Sequence, residues 1–333
     1  MTQATDFNAT VRALREAERV LLVTHESPDG DALGSLVAMK LACEQLGKDV
    51  VAYLTPETGL PREYAFMDLA GVLRAPPEDC ESRVLVALDC ANARRIGPDQ
   101  SPHERAASIL NIDHHHDNSR FGDVNLVIAD ASSTAEILAE ILAALEIDLT
   151  PSLAEALYIG VLTDTGRFQY GNTTPKTLRL AADLLESGAD AHRIFQDLYE
   201  SIELGKFRLL GRALENATVL DEGRLIVASL SREDFAKAGA DEPLAEGIID
   251  YLRAVAGTDM VALIREPPLD GSLPSRKASL RTTHSGIDVS AIARQFGGGG
   301  HRQAAGFSTD QDVDELIVAL QAAYQGQLDE QAA

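Results

Sequence analysis

The stretch Arg19-Val20-Leu21-Leu22-Val23-Thr24-His25-Glu26-Ser27-Pro28-Asp29-Gly30-Asp31 decides how the first half of the chain is organised. Arg19–Thr24, dominated by Val and Leu, has the length and composition of a buried strand. From Asp31 to Leu46 the apolar residues fall at helical spacing (Leu33, Leu36, Val37, Leu41), and Gly47 is a C-terminal stop. The loop between strand and helix carries His25, Asp29 and Asp31, with Gly30 permitting a backbone bend. Two carboxylates two residues apart, beside a helix start, repel each other unless a cation neutralises them. The loop is therefore a candidate metal site. The plainer alternative is a helix N-cap, with Asp31 satisfying free amides.

Working outward, Val50–Leu54, Val84–Leu88 and Ser108–Ile112 are further strand candidates alternating with helical segments. That alternation predicts an α/β sandwich around a mostly parallel sheet. Two of these runs end as the first one does, in polar residues. Asp89 follows Val84–Leu88, and Asp113-His114-His115-His116 follows Ser108–Ile112. Ligands of open parallel sheets bind outside the carboxyl ends of strands, so three distant segments are placed to meet at one crevice. A lone aspartate at a strand end is common. Three consecutive histidines beside an aspartate are costly in a core and unusual on a surface. Oxygen and imidazole donors without cysteine suit Mn²⁺, Mg²⁺, Fe²⁺ or Zn²⁺ rather than a thiolate-bound structural zinc. Two hard cations held close together are the usual apparatus for attacking phosphorus, which points to a phosphate-ester hydrolase.

Further along, 132–145 reads as a helix with Ser133 and Glu136 as a capping box. Thr150-Pro151 opens another helix that runs to Thr163-Asp164-Thr165-Gly166. Asp164 is either a further ligand or simply a residue at a helix C-terminus. A largely helical region, 174–216, leads to strands at Leu225–Leu230, Met260–Arg265 and Lys277–Thr282, with helices near 231–238, 243–255 and 288–296. The expected organisation is a metal-binding catalytic domain (1–190), a helical linker (191–215) and a smaller α/β substrate-binding domain (216–333), with the active site in the cleft. The second domain contains Phe296-Gly297-Gly298-Gly299-Gly300-His301-Arg302. This is either a loop that meets an anion through backbone amides or a flexible turn. It is not a Walker loop, because the Lys-Ser/Thr ending is absent.

Composition narrows the substrate. At 333 residues the chain can bury two cores. Its net charge of −23 repels long polyanions, and proteins that track along nucleic acid need Lys and Arg to displace many counterions. Long duplexes are thereby disfavoured, while short or single-nucleotide substrates gripped locally remain. No apolar run reaches the roughly 18–20 residues of a membrane span, and the start lacks the pattern of a secretory signal. Cys43, Cys80 and Cys90, an odd number without metal-binding spacing, fit buried residues in a reducing cytoplasm.

Taken together, these segments resemble the DHH phosphoesterase superfamily over nearly the whole chain. His25-x3-Asp29-x-Asp31 is similar to its first motif, Asp89 to its second, Asp113-His114-His115 with Asn118 to its third, and Asp164 to its fourth. Gly297–Gly300, His301 and Gly306 resemble the signature of the DHH-associated C-terminal domain, and Ser279-Leu280-Arg281 its phosphate-contacting strand. Size and layout are most similar to the nano-RNase/pAp-phosphatase group. The resemblance implies hydrolysis of very short oligoribonucleotides to mononucleotides, and of 3′-phosphoadenosine 5′-phosphate (pAp) to AMP. It implies two divalent cations, Mn²⁺ foremost with Mg²⁺ or another open. One would be held by His25, Asp29 and Asp89, the other by Asp31, Asp89, His114 and Asp164. His115 would face the scissile phosphate and Asp113 orient a histidine, so that His115, Asp113 and Asp89 form the catalytic set. Arg281, Ser279, Gly298, Gly299, Gly300, His301 and Asn118 would bind substrate. His116 lies outside the motif. A homodimer is favoured by the same resemblance. The rival readings are a phosphodiesterase for pApA or cyclic di-AMP, a single-strand DNA exonuclease, a family II inorganic pyrophosphatase, and a non-catalytic nucleotide sensor. The exonucleases generally carry an added oligonucleotide-binding domain, for which this chain has no room. The glycine run argues against the pyrophosphatase, and a full set of ligand side chains argues against the sensor.

Overall fold

Five short apolar runs in the first 130 residues pair into one parallel sheet. The computed structural model describes residues 2–56, 62–266 and 275–332, and the chain falls into two units, Met1–Ser201 and Ile202–Ala333. The first unit runs α1 (Thr2–Glu16), β1 (Arg19–Val23), α2 (Gly30–Gln45), β2 (Asp49–Tyr53), β3 (Val84–Leu88), α3 (Ser101–Arg105), β4 (Ser108–Asp113), β5 (Val124–Val127), α4 (Thr134–Ala144), α5 (Pro151–Asp164), α6 (Pro175–Glu186) and α7 (Ala191–Phe195). Its sheet has the order β2-β1-β3-β4-β5, every neighbouring pair parallel. The α/β architecture expected from the alternation is present.

The strands show no polar alternation because both faces of the sheet are covered. Val20, Leu22, Val86, Leu88 and Ile112 pack with Leu33, Leu36, Leu138 and Leu157 of the helices. On the opposite face Leu21, Val23, Leu85 and Ala87 pack against Tyr53, Cys80, Cys90 and Ile96, which come mostly from loops. All three cysteines are buried and free. Three elements of this unit, α1, α3 and β5, have no counterpart in the sequence reading. Helix α1 buries Thr10, Val11 and Leu14 among its described residues, and β5 is a four-residue strand with two half-buried residues at its start.

The second unit runs α8 (Leu204–Glu215), β6 (Thr218–Leu220), β7 (Leu225–Leu230), α9 (Arg232–Ala238), α10 (Ile248–Arg253), β8 (Met260–Arg265), β9 (Arg276–Thr282), α11 (Val289–Gln295), β10 (Gly299–His301), β11 (Ala304–Thr309) and α12 (Val313–Ala332). Its sheet is ordered β10-β11-β9-β8-β7-β6, with β7 and β8 parallel and the other pairs antiparallel. One face packs on α11 and α12 through Leu280, Ile292, Leu316 and Tyr324, the other on α8, α9 and α10 through Leu263, Leu209, Phe235 and Ile248.

One expectation is corrected. The glycine run is not a loop throughout, because Gly299–His301 pairs antiparallel with Ala304–Gly306. Glycine has low strand propensity, so sequence alone favours a turn there. Backbone packing decides otherwise: a Cβ on Gly298 would lie 2.2 Å from the Gly306 carbonyl oxygen, and one on Gly300 2.6 Å from that of Ala304. The stretch read as a linker is divided between the cores. Ile194 of α7 packs in the first unit, whereas Leu209 and Ala213 of α8 pack in the second. Among the described residues no helix is long and apolar enough to cross a membrane.

Candidate metal centre

The order of the first sheet reverses between β1 and β3, and that is where a parallel sheet opens a crevice at its carboxyl edge. His25 follows β1, Asp89 follows β3, and Asp113 ends β4. Asp89 has φ 55°, a left-handed conformation that costs a non-glycine residue energy and is typical of functional positions. Its amide donates to the Ile112 carbonyl at 3.0 Å, tying the turn to β4.

Around Asp89 the expected residues converge. His25 Nε2 lies 3.5 Å from Asp89 Oδ2 and 3.9 Å from Asp29 Oδ1. His114 Nε2 lies 3.6 Å from Asp89 Oδ1, 3.5 Å from Asp164 Oδ2 and 4.0 Å from Asp31 Oδ2. Three groups therefore form, each with its donor atoms within 4.8 Å of one another: His25–Asp29–Asp89, Asp31–His114–Asp164 and Asp89–His114–His115. The two oxygens of Asp89 serve different groups, Oδ2 facing His25 and Oδ1 facing His114. Separations of 3.5–4.0 Å are too long for strong hydrogen bonds. They suit donor atoms that each reach a shared cation about 2.0–2.2 Å away.

The electrostatics also fit cations. Asp31 is 1% exposed. Burial, followed by the charges of Asp89, Asp164 and Asp29, raises its pKa well above the carboxylate range. Asp164 is pushed up to about 6, by burial foremost; His114 opposes the rise and Asp89 adds to it. Burial works against the charge on Asp89 as well, but His25 beside it and the charges of His114 and His115 outweigh it and lower its pKa. Burial likewise opposes charging of His25, and Asp89, Asp29 and the Glu26 carbonyl overcome it. Four carboxylates crowd a site where burial penalises each uncompensated charge, and hard divalent cations match both that charge and the donor types.

The supporting hydrogen bonds explain why the side chains hold these positions. Asp31 accepts from the backbone amides of Thr134 and Ala135 at 2.6 and 2.9 Å, in the first turn of α4. A helix N-terminus has free amides and partial positive charge, so it suits a buried carboxylate. Asp31 thus does satisfy helix amides, but those of another helix; α2 is capped by Asp29, which accepts from Ala32 at 3.0 Å. Gly160 on α5 makes room, since a Cβ there would lie 2.7 Å from Asp31 Oδ1. Thr134 Oγ1 donates to Asp89 Oδ1 at 2.9 Å. Fully buried Asp113 accepts from the His114 amide at 2.9 Å, from His115 Nδ1 at 2.8 Å and from Asn118 Nδ2 at 2.5 Å. The Asp113 hydrogen bond raises the pKa of His115 to about 9.

Sequence reasoning missed Thr134 and misread the side chain of Glu136. Asn118, expected at the substrate, commits its amide to Asp113, Asn111 and the Cys90 carbonyl. The bond to Asp113 helps to hold that carboxylate in place. Ser133 caps α4 through the Glu136 amide at 3.1 Å, yet the Glu136 side chain does not close the box. It is buried and bonds Ser132 Oγ, Thr177 Oγ1 and Lys176 Nζ at 2.6, 2.8 and 2.9 Å. The polar triplet Ser132-Ser133-Thr134 was the available signal for these roles. His116 is exposed and belongs to none of the three groups.

In the second unit Ser279, Gly298, Gly306, Arg265 and Lys277 line a pocket of about 460 Å³. Arg265 Nη2 donates to Ser279 Oγ at 3.2 Å. Arg281 is two residues along β9, on the same face as Ser279, with Nη1 donating to the Leu280 carbonyl at 3.0 Å. Gly299 and Gly300 pair with Gly306 and Ala305. The side chain of His301 lies outside the described residues.

Comparison with known proteins agrees with this division. Residues 19–161 match the DHH family, N-terminal domain, and residues 222–326 match the DHHA1 domain. The bifunctional oligoribonuclease and PAP phosphatase NrnA of Thermus thermophilus is 33% identical over 309 residues, spanning 90% of this chain and 89% of that protein. Its Bacillus subtilis namesake is 28% identical over 319 residues, 93% of this chain and 96% of its own. The crystal structure of an exopolyphosphatase-related protein from Bacteroides fragilis shares the fold, with TM-score 0.86 at 22% identity over 97% of this chain and 96% of its own. Three acidic and histidine clusters at the strand ends, and a relative alike over nine-tenths of the chain, place this protein in the DHH family, its DHH domain followed by a DHHA1 domain.

Proposed function

We propose that the chain hydrolyses very short oligoribonucleotides to mononucleotides and removes the 3′-phosphate from pAp. The observation that carries the reading is Asp89, whose two carboxylate oxygens face two separate donor groups. The relatives named as oligoribonuclease and PAP phosphatase support the same substrates. His25, Asp29 and Asp89 would hold one divalent cation, and Asp31, Asp89, His114 and Asp164 the second, with Mn²⁺ the first choice. Such cations supply Lewis-acid polarisation of a phosphoryl oxygen and lower the pKa of water to about 7.

The chain's own residues do the rest. Asp113 holds His115 through Nδ1, which leaves Nε2 to donate to a phosphoryl oxygen as negative charge develops. Asn118 and the His114 amide keep Asp113 in place for that task. Thr134 and the first turn of α4 fix Asp89 and Asp31, so the donors need no reorganisation when substrate arrives. In the second unit Arg281, Ser279, the Gly298–Gly300 run and His301 would bind the remainder of the nucleotide. A cytoplasmic location and a homodimer belong to the same proposal; three buried free cysteines support the first, and light scattering tests the second.

The deciding experiment is a product time course on di-, tri- and pentaribonucleotides, pAp and pApA at fixed Mn²⁺. Mononucleotides released from the shortest RNA, with AMP from pAp, are the expected products. Turnover confined to pApA would replace this reading with a dinucleotide phosphodiesterase. Absence of turnover on every substrate would favour a nucleotide sensor.

A further inference from the structure

Just past Asp164 the chain builds an aromatic surface that the chemistry above leaves unused. Gly166, Arg167 and Phe168 follow one another with φ of 55°, 64° and 62°. Successive left-handed residues are unfavourable when two of them carry side chains, and they persist only when their surroundings hold them. Here the Arg167 amide donates to Leu162 at 2.8 Å, and the Tyr170 amide to Thr165 at 3.0 Å. Phe168 meets Tyr158 edge-on, with ring centres 6.2 Å apart. Asn172 Nδ2 donates to the carbonyls of Asp164 and Ser132 at 3.1 and 2.9 Å, binding the turn to a metal-ligand residue and to the segment before α4.

The turn lays the ring of Tyr170 across Gly166. A Cβ at Gly166 would lie 2.4, 2.5 and 2.6 Å from three of its ring carbons. The ring is thus seated on backbone from behind, yet Tyr170 is 59% exposed, which leaves its other face to solvent. Beside it the exposed Arg167 guanidinium lies over the Tyr199 ring, 5.1 Å from its centre, and makes no ion pair among the described residues. A single exposed tyrosine is ordinary. A ring laid against the backbone of a turn with three successive left-handed residues, next to a ligand of the proposed phosphoesterase site, is not.

We propose that Tyr170 is a stacking platform for the nucleobase of the substrate, a reading that rests on the proposed nucleotide chemistry. Every base offers a π-face, so stacking grips short oligonucleotides without choosing their sequence. It also does not depend on positive charge, which a chain of net charge −23 is poorly placed to supply.

The chain has no tryptophan, so Tyr170→Trp introduces a lone tryptophan, excited selectively over the remaining tyrosines, into the metal-loaded protein. AMP is expected to quench it, and ribose 5-phosphate, which has the phosphate but no base, is not. In parallel, Tyr170→Ala should lower the preference for pAp over ribose 3′,5′-bisphosphate about tenfold, the scale of one lost base stack, while Tyr170→Phe keeps it. Equal quenching by the two phosphates, or an unchanged preference in Tyr170→Ala, would overturn the platform. A wild-type chain that hydrolyses none of these substrates would instead overturn the functional reading.

Discussion

The two sheets of this protein are built from similar apolar strands but use their polar residues differently. In the first, carboxylates and imidazoles sit just beyond the ends of parallel strands, and several are almost wholly buried: His25 at 4%, Asp31 and Asp89 at 1% exposed. In the second, the polar residues singled out lie on a sheet face, half-buried, among arginine, lysine, serine and glycine. Burying like charges is tolerable only where protons or cations neutralise them, so the first arrangement suits divalent cations in a way the second does not. The lesson is that strand ends can fix charged groups in unfavourable surroundings, whereas a sheet face offers recognition without that strain.

The sharpest way to break this comparison is Asp89→Ala. It should abolish hydrolysis and reduce Mn²⁺ uptake at both groups in calorimetry, because each loses an oxygen donor. Full activity, or the loss of one ion alone, would contradict the shared role. Chelation comes next. EDTA should stop turnover and Mn²⁺ restore it; at about 100-fold excess over Kd, one bound ion adds about 2.7 kcal/mol of stability. Hydrogen exchange should slow on Mn²⁺ addition at the ends of β1, β3 and β4 and stay unchanged in β7–β9. Thr134→Val removes the donor to Asp89 without much change of volume. It should cost about 10–100-fold in metal affinity or activity, with Thr134→Ser recovering most of it. Arg281→Ala should raise KM about tenfold and leave metal affinity alone, on the scale of one lost charged hydrogen bond.

The smallest effect concerns structure rather than chemistry. Buried Arg83 bonds Asp79 at 2.9 Å and Asp49 at 3.0 Å, and Arg19 joins both carboxylates. Hydrogen bonds from Arg83, then from Arg19, lower the pKa of Asp49; the hydrogen bond from Arg83 is the foremost cause at Asp79. A carboxyl depressed in the folded state contributes stability that is present above its unfolded value near 3.9 and lost as pH falls through the folded value. The unfolding midpoint should therefore fall more steeply below about pH 4 in the wild type than in Arg83→Met. Parallel curves would remove these pairs from the account.

Much of the first unit was legible because its signals are local. Val84–Leu88 reads as a buried strand with correct bounds, since five apolar residues before an aspartate leave few alternatives. His25, Asp29, Asp31, Asp89, His114 and Asp164 could be nominated because histidine and aspartate beside apolar runs stand out. Asn118 could be nominated but not given its part, because a side-chain amide suits a substrate or a neighbouring carboxylate equally well. Thr134 was invisible, as a threonine in a helix's first turn is ordinary until its hydroxyl is seen 2.9 Å from Asp89. Strand β10 was hidden for the opposite reason: glycines signal a turn, and only the partner strand overrides them.

By itself the sequence determined the α/β alternation, the residue types offered to a metal and the net charge of −23. Periodicity, donor chemistry and net charge are properties of the chain before it folds. Tertiary structure alone decided that Asp89 stands between two donor groups, that Asp31 is held by another helix's amides, and that Tyr170 lies on Gly166. Each of these depends on residues brought together from separate segments, or on a turn held from outside itself, and local sequence cannot specify those distances.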